Sequence, residues 1–193
     1  MPQSFPVALH LEGKACLVVG SELEARDRAR SLGDAGARVA LVAENPCREL
    51  EELAAARGLT LARRAFVTTD LEGVWLALLV DRNFELGARM AALCNERRTL
   101  FCAIDQPQDN SFSHMALARA GLVTAAIGTN GRAPALGRRL REELERVFDE
   151  AGLAEFAERI AELRETTPPE KRREVLSAAV AALRLDGRLL LEP

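Results

Sequence analysis

Short continuous apolar runs alternate along this chain with charged stretches whose apolar residues recur every third or fourth position. Cys16–Val19 (CLVV), Val39–Val42 (VALV), Val74–Val80 (VWLALLV) and Leu100–Ile104 (LFCAI) are apolar throughout rather than alternating. That pattern predicts strands of a parallel sheet buried on both faces. VWLALLV is the most apolar and is the best candidate for a central strand; Leu59–Ala65 and Leu122–Ile127 are weaker predicted strands. Phe5–Leu11 (FPVALHL) predicts a short extended edge segment, which Pro6 suits, with His10 on it and without a role. The helical stretches run from Leu23 to Ala35, closed by Gly36; from Glu49 to Arg57, stopped by Gly58; and from Phe84 to Arg97. A long helix from Ala135 to Glu150, entered through Pro134, carries Leu136, Leu140, Leu144 and Val147 on one face. From Leu153 to Leu191 two amphipathic helices are predicted, split by Thr166-Thr167-Pro168-Pro169.

Strand and helix alternate through short connections, so the fold class is α/β: a Rossmann-like, doubly wound, mostly parallel sheet with right-handed crossovers. A small mixed segment and a C-terminal helical unit should follow, with divisions expected at 1–112, 113–150 and 151–193. A chain of 193 residues, 48% hydrophobic and 28% charged, can bury one full core and a smaller second one. Its 26 basic and 29 acidic residues leave a net charge of −3, so no global field recruits nucleic acid or an anionic membrane. No apolar run approaches the roughly 20 residues of a membrane-spanning helix, and the first residues lack the basic region and apolar core of a signal peptide. A cytoplasmic protein is expected. Cys16, Cys47, Cys94 and Cys102 are scattered without a C-x-x-C pair and read as structural thiols, with no metal site.

The chemistry concentrates where strands end. Gly20 follows the first buried strand and precedes a helix, which is how a dinucleotide-binding unit begins: a bare backbone lets phosphates reach the helix N-terminus. Where the G-x-G-x-x-G fingerprint wants further glycines, this chain has Ser21, Glu22 and Ala25. Asp105 lies at the carboxyl end of a predicted strand beside a polar loop, the usual place for a site in such sheets, though it equally suits capping of the next turn. His114, in the loop or helix start that follows, could transfer a proton or could be a solvated helix-start histidine. Thr129, Asn130, Gly131 and Arg132 precede a helix N-terminus and could hold an anionic group. Arg138, with Arg139 and Arg141, reads either as a solvated face or as a carboxylate-recognition site. Trp75 reads as core. These residues alone make a Rossmann-like domain binding some nucleotide the default.

Taken in order, FPVALHLEGKACLVVG, AGARVALVA, VWLAL, ERRTLFCAIDQP, APALGRRLREELE and FAERIAELRETTPPEKRREVL cover nearly the whole chain. It resembles the precorrin-2 dehydrogenase and sirohydrochlorin ferrochelatase family, which also forms the N-terminal half of sirohaem synthases. The resemblance implies NAD-dependent oxidation of precorrin-2 to sirohydrochlorin, with insertion of ferrous iron as a substrate in many members. It implies dimerisation through the C-terminal helices. It makes Asp105 the residue serving both reactions, and Gly20, Ser21, Glu22, Leu23, Glu24, Glu44 and Asn45 the cofactor positions. Arg132, Arg138 and the helix N-terminus at Ala135 would meet carboxylates of the tetrapyrrole. Against the family pattern, a glycine run reads Gly20, Ser21, Glu22; Thr-Asp-Asp reads Asp81, Arg82, Asn83; and Ser-Ser-Gly-Gly reads Gly128, Thr129, Asn130, Gly131. A β-carbon on Ser21 hinders close backbone approach, and Glu22 near a pyrophosphate would cost on the order of 1 kcal/mol unless turned to solvent. A chelatase or a non-catalytic tetrapyrrole-binding partner without the dinucleotide site therefore stays open as an alternative.

Overall fold

The computed structural model describes residues 4–186. Five parallel strands form the first sheet: β1 (Ala15–Val19), β2 (Arg38–Val42), β3 (Thr60–Ala62), β4 (Leu76–Leu79) and β5 (Leu100–Ala103). Their order is β3-β2-β1-β4-β5, so the chain reverses direction across the sheet between β1 and β4. Helices α1 (Leu23–Asp34), α2 (Arg48–Arg57) and α3 (Phe84–Arg97) fill the crossovers. Alternate residues of one strand face opposite sides, and both sides are buried. Cys16 and Val18 pack with Ala25, Ala29 and Leu32 of α1 and Leu50 and Ala54 of α2. Leu17 and Val19 pack with Met90 and Cys94 of α3. This double burial is why the strands are apolar at every position, and it makes the unit Rossmann-like. Burial also pushes the Cys16, Cys94 and Cys102 thiols up to about 11, which keeps them protonated and inert.

The chain divides into two compact units, residues 1–114 and 115–193. In the second, β6 (Ala116–Ala120) and β7 (Val123–Ile127) pair antiparallel as a hairpin, followed by α4 (Pro134–Glu150), α5 (Leu153–Thr166) and α6 (Arg172–Val180). Helix α4 packs on β6, and Gly137, its one buried residue, lies against Thr129 and Ala116. No helix among the described residues is long and apolar enough to cross a membrane.

Several expectations are corrected. Phe5–Leu11 is irregular rather than a strand, and His10 is on no sheet edge. Phe5 is 86% exposed, and only Leu11 is buried, so the segment has one anchor rather than a packed face. The third strand is three residues long: past Ala62, Arg63 and Arg64 turn outward to pair with Glu51 and Asp70. The apolar run at Val74–Val80 does supply an interior strand, β4, paired on both edges by β1 and β5, while β1 is the middle one of the five. His114 starts no helix; it leads into β6, whose sequence ALARA reads as helical by propensity and is overridden by pairing with β7. The last helix ends at Val180, and the expected continuation through residues 187–191 lies outside the described residues.

Candidate active site

The register sets the level of every strand end. Val19 pairs with Val42 on one side and Leu79 on the other, and Leu79 pairs with Ala103. Gly20, Ala43, Val80 and Ile104 therefore form the next row, and Ser21, Glu44, Asp81 and Asp105 the row just past the sheet. Three of these four side chains are carboxylates spread along the carboxyl edge of the sheet, with Ser21 and Asp81 at the point where the strand order reverses. Here lies a groove of about 290 Å³ whose lining includes Ser21, Glu44, Asn45, Arg64, Phe66 and Asp81.

The turn at Gly20 admits no side chain: its φ is +151°, and a β-carbon there would run into Val80. Its amide donates to the Val42 carbonyl at 3.0 Å. Ser21 is held at both ends, donating its N–H to Asp81 Oδ1 at 3.1 Å and accepting from the Cys47 N–H at 2.7 Å. Glu22 is the N-cap of α1, with an extended backbone and no capping bond from its side chain. Leu23, 47% exposed, and Glu24 open the first turn, while the Ala25 and Arg26 amides already donate to the Glu22 carbonyl; Glu24 pairs with Arg28 at 3.2 Å. Glu44 and Asn45 are exposed on the groove wall. Arg64 is also on that wall, but Asp70 holds its guanidinium through two bonds of 2.8 and 2.6 Å. That guanidinium holds the Asp70 carboxyl below the usual carboxylate range.

Asp105 adopts a left-handed φ of 59°, which Asp tolerates better than most residues, and is exposed. Arg82, from the loop after β4, donates its Nε–H to Asp105 Oδ2 at 2.8 Å. The adjoining Gln106 is fully buried against Gly87 and donates to the Asn83 carbonyl at 3.4 Å, so the Asp105 turn is anchored on α3. His114 is exposed by its surface area, yet protein packed around it and then the charge of Arg28 push its pKa down to about 4. Phe112 meets it edge-on at 5.5 Å.

Gly20, Ser21, Glu44 and Asn45 are thus gathered at one turn and groove, with Glu22, Leu23 and Glu24 at the helix start beside it. Asp105 stands past β5, two strands from β1. Thr129, Asn130, Gly131, Arg132 and Arg138 belong to the second unit. There the Arg132 N–H donates to the Thr129 carbonyl at 3.1 Å, Asn130 and Gly131 take left-handed φ, and Arg132 and Arg138 are exposed. Among the described residues no three His, Cys, Asp or Glu side chains cluster to hold a metal. Reading site residues from the sequence passed over Arg64 and Phe66 on the groove wall and the roles of Asp81 and Arg82. The signal available for Asp81 and Arg82 was their place directly after an apolar strand, where Asp105 was found.

Residues 7–116 match the family described as "Putative NAD(P)-binding". A siroheme synthase from Serratia proteamaculans is 34% identical over 143 residues, 74% of this chain and 31% of that protein. One from Aeromonas hydrophila is 32% identical over 154 residues, 79% of this chain and 33% of that protein. The chain spans about a third of the length of these relatives. The solved structure of SirC, a precorrin-2 dehydrogenase, shares the fold with a TM-score of 0.76 and 22% identity, covering 92% of this chain and 89% of that one. With the family match spanning more than half of its residues, the chain belongs to this NAD(P)-binding family.

Proposed function

We propose that the chain acts in sirohaem biosynthesis as a cytoplasmic homodimer, oxidising precorrin-2 to sirohydrochlorin with NAD. The observation that carries this reading is Asp105, an exposed carboxylate held by Arg82 past the carboxyl ends of a sheet whose reversal point opens a groove. The groove fits the nucleoside half of a dinucleotide. Glu44 can accept ribose hydroxyls with Asn45 beside it, Gly20 keeps the backbone bare, and Glu22, Leu23 and Glu24 bring the α1 amides. When bound, the nicotinamide supplies the hydride acceptor.

Oxidation removes a proton along with the hydride, and the Asp105 carboxylate takes that proton. Arg82 keeps the carboxylate directed outward and can meet a carboxylate of the arriving macrocycle. His114, uncharged at neutral pH, can pass the proton on. In the second unit, the exposed guanidiniums of Arg132 and Arg138 and the Thr129-Asn130-Gly131 turn are suited by their chemistry to carboxylate recognition.

A second reading, insertion of ferrous iron as substrate without any dinucleotide, is favoured by the Asp81 carboxylate already on the Ser21 amide. The parent's own activities separate the two, and one variant tests each. Asp105→Ala should lower anaerobic NADH formation from precorrin-2 by about a hundredfold or more, with NAD affinity unchanged. If the parent forms no NADH yet inserts cobalt into sirohydrochlorin, and the variant does not, the second reading stands. An Asp105→Ala protein with parental rates in both assays sinks both.

A further inference from the structure

We propose that Asp81 sets the affinity of this chain for a dinucleotide by holding, with its own carboxylate, the backbone amide that a pyrophosphate would take. The inference rests on the NAD reading of the groove and deepens it. In a strand–turn–helix unit, the amides just past the first strand meet the phosphates. Here the Gly20 amide is bonded to Val42 and the Ser21 amide to Asp81 Oδ1 at 3.1 Å. The Ser21 carbonyl takes the Cys47 N–H, so both backbone polar groups of Ser21 are engaged within the protein. Asp81 also lies against Gly20, so its carboxylate fills the space a close-approaching ligand needs.

Charge points the same way. The groove wall carries Glu44 and Asp81, with Glu22 beside it at the helix N-cap. Its lining cation, Arg64, is engaged by Asp70 through both terminal nitrogens. An incoming dianion therefore meets a fixed negative charge at the amide it would bind, and no guanidinium on that wall is left over to offset it. The nucleoside end, at Glu44 and Asn45, is untouched by this competition. Asp81 thus discriminates between the two halves of the ligand.

The test is calorimetric titration of the parent, Asp81→Asn and Asp81→Ala with NAD and, separately, with adenosine, which has no phosphate. Asn keeps the size and can still accept from the Ser21 amide but removes the charge; Ala removes both. Both variants should bind NAD about tenfold more tightly than the parent, with adenosine affinity the same in all three. Should Asp81→Ala not fold, as judged by its melting curve, Asp81→Asn carries the comparison alone. Equal NAD affinity across the proteins, or weaker binding by the variants, makes Asp81 a structural acceptor and overturns the proposal while leaving the NAD reading standing. Absence of NAD binding in parent and folded variants alike overturns both.

Discussion

Asp81 and Asp105 share a residue type and a level at the sheet edge, yet their neighbours give them different work. Asp81 meets a backbone amide and is half-buried; Asp105 meets a guanidinium and faces solvent. An exposed ion pair such as Arg82–Asp105 contributes little to stability, so its value lies in aiming the carboxylate. His114 is the titrating residue whose environment predicts a pH effect. Its folded pKa, about 4, lies below the ordinary 6.5, so the unfolded chain binds more protons between those values. Stability should be complete above 6.5 and fall as the pH drops towards 4. Urea midpoints measured across this window should fall less steeply for His114→Gln; parallel slopes would contradict the assignment. Asp105 was legible from sequence because it ends an apolar run. The partner of Asp81 was not, since Ser21 lies 60 residues away and meets it only through β1–β4 pairing.

The loop between β4 and α3 shows three consecutive residues serving three elements. Asp81 ties down the turn after β1, Arg82 reaches the turn after β5, and Asn83 caps α3 by accepting the Leu86 N–H at 3.0 Å. Asn83→Ala should cost about 1 kcal/mol of stability through the lost cap. The backbone N–H of Asn83 also donates to the Asp81 carbonyl at 2.8 Å, a bond the variant keeps, so the loss reports the side-chain cap alone. Denaturant unfolding checks the cost, and an unchanged midpoint would rule the cap out as a support. Helix α3 was readable to its end residues, since its period, cap and charged last turn agree. Strand β6 was not: Ala, Leu and Arg favour helix locally, and pairing with β7 outweighs that preference.

The first unit closes its own core on both faces of the sheet, whereas the second does not cover its apolar surface. Leu136 on α4 is 50% exposed and Leu122, in the hairpin turn, 62%. Helix α4 buries only Gly137, and α5 and α6 bury no described residue. An amphipathic helix leaves its stripe open when a second chain covers it, which supports the proposed homodimer. Sedimentation should find a dimer at micromolar concentration, and Leu122→Glu combined with Leu136→Glu should yield a folded monomer. A monomeric parent, or a variant that still dimerises, would remove the homodimer from the reading.

By itself the sequence determined the strand–helix alternation, the parallel sheet and the glycine turn, because burial on two faces and a crowded backbone leave signatures in neighbouring residues. Only the tertiary structure decided which strand lies in the middle, that Phe5–Leu11 joins no sheet, and that carboxylates line the reversal point with one of them on the Ser21 amide. Those outcomes depend on pairings between segments far apart in the chain, where the geometry of the sheet, rather than local preference, chooses the partner.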